Sequence, residues 1–457
     1  MSARGGDGGL GSKLVLVVID GLTPSMLEGS LGTASTPTLT ALAERGTLGR
    51  ATTTFPSLTP VCLSSIATGA HPDVHEVPHL VWWHRGERRL VEYGSSFGAA
   101  RAAGLGRTLR DTLVGMNAEH LGRSAVTIFE ALADAGFETA AVNFTAYRGR
   151  TLHRPAVPLL GTVHGPERFF FYNLFRAERT GAPLSFRNRG AGSIDAYAAA
   201  VGRWLVTRDG FDFLLLYLSD YDYASHAAGP DAASDVLERC DDAVGGLVAA
   251  AGGLDEFLQR YAVIVMSDHG QTAVREIARL GDPFRHVPQT LVAASNRAAH
   301  VYRLGAAAPP ARALAERLDG ESSVEVALFA EDGAVVARRD GAELRITESA
   351  GMQVLEGDAG VLDHPDAVAR AVAAVRCPNA GEVVLSATPG WEFEDLGGRH
   401  HLGGGSHGSL CEGDSVVPVL TVGLESEAGP STVVDIAPTI LGHFGVRAPA
   451  YALDRAA

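Results

Sequence analysis

The chain has 457 residues, of which 46% are hydrophobic, and its formal net charge is -15. This length and composition are sufficient to bury a sizeable core, either in one large domain with an insertion or in two or three domains. The acidic balance argues against a nucleic acid polymer as partner, whereas a small phosphorylated substrate is compatible with it because a bound metal can reverse the local field.

The cysteines and the first residues give information about the compartment. Four cysteines are widely spaced and form no CxxC pair, which indicates neither a disulfide framework nor a structural zinc site. Residues 1–13 are rich in glycine and lack a long apolar segment, so a flexible tail is predicted rather than a signal peptide. No apolar run is long enough to span a bilayer. We therefore expect a cytoplasmic protein without a membrane partner.

Three apolar segments predict strands that are buried on both faces of a parallel sheet. Polar residues follow each of these segments. In open α/β sheets, ligands bind beyond the carboxyl ends of the strands, so we expect a site at that edge. The three segments and the polar residues after them are 14–19 with Asp20, 211–218 with Asp222 and His226, and 261–266 with Asp268 and His269.

Helical periodicity and capping residues predict helices between these strands. The predicted helices cover 36–46, 125–136, 193–206 and 231–251, a further strand covers 137–144, and the chain closes with a strand over 416–422 and a helix over 435–441. Residues 152–192, rich in Pro, Arg and aromatic residues, are predicted to form an excursion or lid on the substrate side.

The pattern changes between about Ala293 and Arg376. Short apolar segments over 324–329 and 334–338 are followed by Asp-Gly pairs at 332–333 and 340–341, which is typical of antiparallel hairpins. We interpret residues 293–376 as an inserted α+β subdomain. The catalytic domain is then formed by residues 14–292 and 377–457, and the main fold is expected to resume near Gly381.

A helix is predicted to begin at Thr59-Pro60. Thr59 is a suitable N-cap and Pro60 suits the first helical position. Such a start places the Thr59 hydroxyl at the positive end of the helix dipole, where an anion can bind. An ordinary capped helix is the structural alternative.

Together, the polar groups at the strand ends form a mixed nitrogen and oxygen donor set. Each residue alone has a structural alternative, such as a helix cap or a turn former. As a set they suit Zn²⁺ or a related ion such as Mn²⁺, in numbers sufficient for two metals that clamp a displacement at phosphorus. The candidates are Asp20, Thr59, Asp222, His226, Asp268, His269 and, from the Gly-rich loop, His407.

The motifs, taken in order, resemble the alkaline phosphatase superfamily, and most closely its nucleotide pyrophosphatase/phosphodiesterase branch. The matching segments are 17–21, Thr59 set ten residues before Gly69, Pro72-x-x-His75, Asp222-x-x-x-His226 followed by Gly229-Pro230, 267–270, 405–408 and 435–439. The resemblance implies an α/β fold, an alkaline-phosphatase-like three-layer sandwich with a mostly parallel central sheet and an inserted small α+β subdomain.

The resemblance also implies how the ligands divide between the two metals. Asp222, His226 and His407 would hold one metal. The other would be held by Asp20, Thr59, Asp268 and His269. Asp220 and the pair His400-His401 are rivals for Asp222 and His407, but the Asp-x-x-x-His spacing and the Gly-Ser-His-Gly match favour the latter.

In this family Thr59 would attack phosphorus and form a covalent phosphothreonine, which a metal-bound hydroxide then hydrolyses. A second alignment, on the threonine directly before Phe-Pro, points to Thr54 instead. The constant spacing between Thr59 and Thr68-Gly69 within one helix favours Thr59. A sulfatase is disfavoured because those enzymes carry a modified Cys or Ser at this position.

One departure from the family concerns an asparagine that contacts a phosphoryl oxygen. The matching position here is Leu80, and either His79 or His84 is a candidate for the missing donor. Trp82, Trp83, Tyr93 and Phe55 are candidates for stacking on a base, although packing in a loop is the alternative for the tryptophans.

The function expected from the sequence is a two-metal hydrolase of phosphate esters. Its expected substrates are diesters or pyrophosphate bonds of small nucleotide-like molecules. The alternatives are a phosphomonoesterase or phosphonate hydrolase on the same metal core and, in another class, a metal-binding protein without turnover.

Overall fold

The computed structural model describes residues 12–155, 161–171, 194–349, 352–424 and 429–453. Within these ranges the strands are β1 (Lys13–Ile19), β2 (Thr47–Thr52), β3 (Val81–His84), β4 (Arg89–Glu92), β5 (Thr139–Val142), β6 (Thr151–His153), β7 (Val163–Gly165), β8 (Arg168–Phe170), β9 (Phe213–Leu218), β10 (Tyr261–Met266), β11 (Thr272–Ala273), β12 (Glu276–Ala278), β13 (Thr290–Ser295), β14 (Ala298–Arg303), β15 (Val324–Glu331), β16 (Ala334–Arg339), β17 (Ala342–Ser349), β18 (Met352–Gly357), β19 (Val383–Ala387), β20 (Trp391–Phe393), β21 (Gly405–Ser406) and β22 (Val416–Val422).

The α-helices are α1 (Pro24–Ser30), α2 (Pro37–Ala43), α3 (Thr59–Thr68), α4 (Pro72–His75), α5 (Phe97–Ala103), α6 (Leu105–Arg110), α7 (Ile128–Asp134), α8 (Ile194–Thr207), α9 (Asp220–Ala228), α10 (Ser234–Ala251), α11 (Leu254–Arg260), α12 (Gly281–Phe284), α13 (Ala311–Glu316), α14 (Ala367–Arg376), α15 (Glu412–Ser415), α16 (Ile436–His443) and α17 (Ala450–Leu453). A π-helix covers Asp111–His120, and 3₁₀ turns cover Pro230–Ala232, Ala359–Leu362 and Val433–Asp435. Among the described helices none has the length and apolarity needed to cross a membrane.

A seven-stranded mixed sheet forms the centre of the molecule, in the order β2-β22-β10-β1-β9-β5-β8. β10, β1, β9, β5 and β8 run parallel, and β22 is antiparallel to both β10 and β2. The three buried strands predicted from apolar runs are therefore neighbours, with β1 in the middle. Their carboxyl ends lie at one edge, as the sequence predicts.

Successive residues of β1 point into two different cores because side chains alternate along a strand. Leu14, Leu16 and Val18 pack with residues of α3, α7 and α16. Val15, Val17 and Ile19 pack on the other face with residues of α2, α8 and α10. Helices thus cover both faces of the sheet, which confirms the predicted three-layer α/β sandwich.

A second seven-stranded sheet is antiparallel throughout, in the order β13-β14-β19-β15-β16-β17-β18. The Asp-Gly pairs form its hairpin turns, and Asp332 and Gly333 both have positive φ angles, 47° and 77°. α14 packs on one face of this sheet and α13 on the other.

The second sheet extends beyond the predicted boundaries of the insertion. It begins with β13 at Thr290, and β19 (Val383–Ala387) lies between β14 and β15. The expectation that the main fold resumes near Gly381 is therefore wrong, because β19 completes the second sheet rather than the central one. The division of the chain into domains stays a prediction.

Some predictions concern residues outside the described ranges. The predicted tail includes residues 1–11, and the predicted excursion includes 156–160 and 172–192, all of which lie outside. Lys13, placed in the tail by the prediction, is the first residue of β1.

Candidate active site

Thr59 is the first residue of α3 rather than its N-cap. Leu58 occupies the cap position in an extended conformation, and Pro60 is the second helical residue. The Leu58 carbonyl accepts the first backbone hydrogen bonds of the helix, from Val61 and Cys62. The prediction of Thr59 as the N-cap is therefore wrong by one residue, because Leu58 is the N-cap. The Thr59 hydroxyl consequently has no capping role and lies 3.1 Å from Nε2 of His269.

The ends of β1 and β10 bring Asp20, Asp268 and His269 together beside Thr59. One donor atom of each lies within 4.8 Å of the others. His269 Nε2 is 3.2 Å from Asp20 Oδ1 and 3.6 Å from Asp268 Oδ2. The backbone N–H groups of Gly21 and His269 donate to Asp268 Oδ1, so the other oxygen of Asp268 is directed at the imidazole.

A second cluster adjoins the first and contains Asp222, His269 and His407. His407 stacks on His269 with ring centroids 3.6 Å apart, and its Nε2 lies 3.8 Å from Asp222 Oδ1. His226, one helical turn after Asp222 in α9, places its Nε2 3.3 Å from Asp222 Oδ2. All seven predicted residues therefore converge on one region. The assignment of each to one of two metals stays a prediction, since His269 belongs to both clusters.

Burial and the charges of neighbouring residues together determine the charge state of the first cluster. Burial, and then the charge of Asp222, raises the pKa of Asp20. Burial, and then the charge of Asp20, raises the pKa of Asp268 well above its usual value. Burial alone would lower the pKa of His269, but Asp268 and Asp20 outweigh it and raise that pKa to about 10. A nearby positive charge therefore favours the ionised form of these two carboxylates.

In the second cluster, the pKa values of Asp222 and His407 both lie below their usual values. Burial alone would raise the pKa of Asp222, but the neighbouring histidines, His226 above all, outweigh it and hold that pKa below its usual value. Burial, and then the neighbouring His269, keeps the pKa of His407 well below its usual value, so this imidazole is neutral. A neutral imidazole is the form that binds a metal.

The donor set fits divalent metal ions. Asp268 Oδ2 is buried without a hydrogen-bond partner among the described residues, and Asp20 Oδ1 has His269 Nε2 at 3.2 Å. Buried carboxylate oxygens without donors are costly unless a cation is present. Carboxylates and imidazoles at this spacing suit Zn²⁺ or Mn²⁺.

Several residues that orient the site were not predicted from the sequence. The Tyr217 hydroxyl donates to Asp20 Oδ2, and the Gln271 amide donates to Asp222 Oδ1. The carbonyl of Ser57 accepts from His407 Nδ1 at 2.7 Å, and that of Gly405 accepts from His226 Nδ1 at 2.7 Å. Second partners of this kind fix imidazole tautomers at metal sites. Gln271, two residues after His269, could have been considered, whereas Tyr217 lies within an apolar run.

His401, considered as a rival ligand, supports the site from behind His226. Its ring stacks on that of His226 with centroids 4.0 Å apart. Its Nδ1 donates to Glu392 Oε1 at 2.7 Å, and the Ser406 hydroxyl donates to the same oxygen at 2.9 Å. Glu392 is buried, so the His401 ring is held in one orientation against His226.

The other alternative candidates for nucleophile and metal ligand have different contacts. Thr54 is buried, and its hydroxyl lies 3.0 Å from His71 Nδ1. Asp220 Oδ2 accepts from the backbone N–H of Asp195 at 3.3 Å. His400 is exposed at the surface of its loop. These contacts favour the residues that the sequence ranked first.

Most of the predicted stacking residues are inaccessible. Trp82, Phe55 and Tyr93 are buried, the first in the β3–β4 hairpin. Because a base cannot stack on a ring enclosed by the core, their predicted role is wrong. Trp83 packs against the same core while remaining half-buried.

The candidates for the missing donor also have other surroundings. Leu80 packs with Leu58, Val61 and Ala298. His79 is buried against His300, and burial lowers its pKa to about 4. His84 accepts from the backbone N–H of Glu87 and lies beside Trp82. The burial of His79 makes its predicted role wrong, whereas the role of His84 stays a prediction.

The mixed sheet with helices on both faces, and the buried Asp and His clusters at its strand ends, define a metal-dependent phosphoric ester hydrolase of the alkaline phosphatase superfamily. The family model of type I phosphodiesterase/nucleotide pyrophosphatase matches residues 14–410. The chain belongs to that family, which confirms the resemblance stated from the motifs. No curated protein sequence matches the chain.

Solved structures agree with this fold. Murine ectonucleotide pyrophosphatase/phosphodiesterase 5 superimposes with a TM-score of 0.62 at 14% identity, covering 96% of each chain. An inactive form of that protein in complex with AMP gives 0.61 at 14% identity over 96% of each chain. Phosphonoacetate hydrolase from Sinorhizobium meliloti, in complex with phosphonoacetate, gives 0.62 at 17% identity over 94% and 95% of the two chains.

Proposed function

We propose that this protein hydrolyses a phosphodiester or pyrophosphate bond in a small nucleotide-like molecule, with two divalent metals and a covalent phosphothreonine at Thr59. The observation that carries the proposal is the position of the Thr59 hydroxyl, 3.1 Å from His269 Nε2 at the edge of the two Asp/His clusters. Zn²⁺ is the proposed metal and Mn²⁺ its alternative, because the donors are mixed nitrogen and oxygen.

The chain's own residues supply the nucleophile and its orientation. Thr59 is partly exposed at the first turn of α3, where the positive end of the helix dipole favours an incoming anion. When bound, the metals would withdraw charge from the phosphoryl oxygens and favour the ionised hydroxyl. The Thr59 Oγ–P bond forms while the bond from phosphorus to the leaving oxygen breaks. Water then cleaves the Oγ–P bond and restores Thr59.

A phosphonate hydrolase is the second candidate. The phosphonoacetate hydrolase superimposes as well as the pyrophosphatase/phosphodiesterase does. Three of the four predicted stacking residues are buried, which removes part of the argument for a nucleobase. A phosphomonoesterase or a protein without turnover are the other outcomes of the test.

Hydrolysis of three compounds separates these candidates. We expect the highest kcat/KM with p-nitrophenyl thymidine monophosphate, a lower value with p-nitrophenyl phosphate, and little release of phosphate from phosphonoacetate. Chelation should abolish turnover, and Zn²⁺ or Mn²⁺ should restore it. A reversed order would support the monoesterase or the phosphonate hydrolase, and no turnover of any compound would support a silent protein.

The nucleophile is tested with two threonines that are five residues apart. Thr59→Ala should lower turnover at least about 1000-fold, as expected for loss of a nucleophile. Thr54→Ala, which removes a buried hydroxyl beside His71, serves as the matched control and should retain activity. An acid-quenched reaction should show a phosphorylated peptide containing Thr59. Wild-type turnover of Thr59→Ala together with loss in Thr54→Ala would reverse the assignment.

A further inference from the structure

The turn between β13 and β14 carries a buried amide into the site. Asn296 has a φ of 56° and an exposed fraction of 8%. Its carbonyl accepts from the N–H of Phe393 at 2.7 Å, and the next N–H, of Arg297, donates to the His407 carbonyl at 3.0 Å. Backbone contacts on both sides therefore hold this turn of the second sheet against the His407 loop.

The contact with His407 fixes which way the amide of Asn296 points. The Ser57 carbonyl can only accept, so His407 carries its proton on Nδ1 and leaves Nε2 as an acceptor. The partner of Nε2 is Nδ2 of Asn296, at 3.1 Å. The Ser295 hydroxyl donates to Asn296 Oδ1 at 2.9 Å. The contact with His407 assigns the N–H₂ group to the side of the clusters, and the Ser295 hydroxyl, which can donate or accept, is compatible with that orientation.

The partner of this amide is the atom that a metal would use. His407 Nε2 faces Asp222, whereas Nδ1 is already committed to Ser57. When Nε2 binds a metal it can no longer accept from Asn296. The amide N–H is then a donor without a partner, held in place and facing the region where the Asp and His groups converge.

We infer that Asn296 is a further catalytic residue whose side-chain amide donates a hydrogen bond to a phosphoryl oxygen of the substrate. The inference rests on the proposed function and assigns a donor to the same site. Such a donor is needed because the carboxylates around it can only accept. A fixed donor to developing negative charge costs no reorganisation at the moment of reaction.

The surroundings of the turn support this role. Ala298, two residues further, packs with Leu58, Val61 and Leu80 in an apolar cluster next to Thr59. Apolar side chains exclude water from that side, and a hydrogen bond to an anion is stronger where water is excluded. At position 80 a leucine contributes to this apolar wall, while the amide comes from the second sheet.

Two substitutions remove the donor without straining the turn. Glycine tolerates the left-handed backbone of residue 296, and aspartate also adopts it more readily than most residues. Asn296→Gly deletes the amide, and Asn296→Asp keeps its shape but offers only acceptors. Asn379→Ala is the matched control, because that amide donates to the Glu76 carbonyl at 2.8 Å away from the clusters.

The readout is the binding of inorganic phosphate to the zinc-loaded protein by calorimetry. We expect Asn296→Gly to weaken phosphate about 10- to 100-fold, the value of one hydrogen bond to a charged group, and Asn296→Asp to weaken it further. The affinity for Zn²⁺ should change less than about threefold. The control variant should match the wild type in both measurements.

Unchanged phosphate affinity in both variants would overturn the inference, as would absence of phosphate binding to the zinc-loaded wild type. A loss of Zn²⁺ affinity as large as the loss of phosphate affinity would also overturn it, since Asn296 would then only orient His407. A different result would contradict the proposed function while leaving this inference intact. If no phosphate ester is hydrolysed although phosphate binding depends on Asn296, the donor stands without the reaction.

Discussion

The carboxylates of the two sheets differ in whether they have basic partners. At the strand ends of the central sheet, Asp20 and Asp268 are buried without arginine or lysine partners among the described residues. On the second sheet, Arg312 contacts both Glu331 and Glu343 at distances from 2.6 Å, and all three are partly exposed.

The pKa shifts follow this difference. Burial raises the pKa of the site carboxylates. The hydrogen bonds from Arg312 lower the pKa of Glu331 and of Glu343. Paired surface charges contribute little to stability because water competes for them, whereas buried carboxylates without cations are a cost. The comparison indicates that the carboxylates around Arg312 already have a cationic partner, whereas those of the site have a place for cations.

The largest expected effect comes from Asp268→Asn. The asparagine can still accept from the N–H groups of Gly21 and His269, which now bond Asp268 Oδ1. Turnover should fall at least about 100-fold because a metal ligand is lost. The free energy of unfolding of the metal-free variant, measured in the presence of a chelator, should equal or exceed that of the metal-free wild type, because a buried carboxylate has been removed. Steady-state kinetics and urea denaturation measure the two quantities.

A matched carboxylate provides the control for this variant. Asp319 pairs with Arg338 on the second sheet and is partly exposed. Asp319→Asn should leave turnover and Zn²⁺ affinity unchanged. Full activity of Asp268→Asn would contradict the role of Asp268 as a metal ligand. Destabilisation of the chelated protein by several kcal/mol would show that the buried carboxylate stabilises the fold without a cation.

The second prediction concerns the stability of the metal-free protein against pH. His269 has an ordinary pKa of 6.5 and a folded pKa of about 10. The folded state therefore holds the proton more tightly, and its contribution is complete below pH 6.5 and lost as pH rises through about 10. The raised pKa values of Asp20 and Asp268 act in the same direction.

We accordingly expect the Tm of the chelated protein to fall between pH 6.5 and 10. The zinc-loaded protein should show a smaller fall, because the metal replaces the proton between the carboxylates. Differential scanning calorimetry at constant ionic strength measures both. Equal slopes with and without zinc would show that His269 does not exchange its proton for a metal.

The central sheet was predictable because its information is local. The apolar runs correspond to β1, β9 and β10 within two residues at either end, since a strand buried on both faces must be apolar along its whole length. The Asp-Gly pairs likewise determine their own turns. The position of β19 was not predictable, because pairing with β14 and β15 joins residues far apart in the chain.

The site divides in the same way. Asp20 follows β1 directly, and Asp268 and His269 come within three residues of the end of β10, so their convergence could be inferred from strand ends alone. Tyr217 lies within a strand and Asn296 lies in a turn that belongs to the other sheet. Neither has a local signal, since each reaches the site only through the packing of elements distant in sequence.

The smallest expected effect is on the second sheet. Arg312→Met removes the guanidinium that joins Glu331 and Glu343. We expect the free energy of unfolding to fall by about 1 kcal/mol or less, because the side chains are partly exposed and the pair is screened by solvent. The loss should shrink in high salt, and kcat/KM and Zn²⁺ affinity should not change. A fall in phosphate affinity in this variant would contradict the separation of the two regions. Such a fall would indicate that the charges on the second sheet influence phosphate binding at the site, to which this sheet contributes the β13–β14 turn with Asn296.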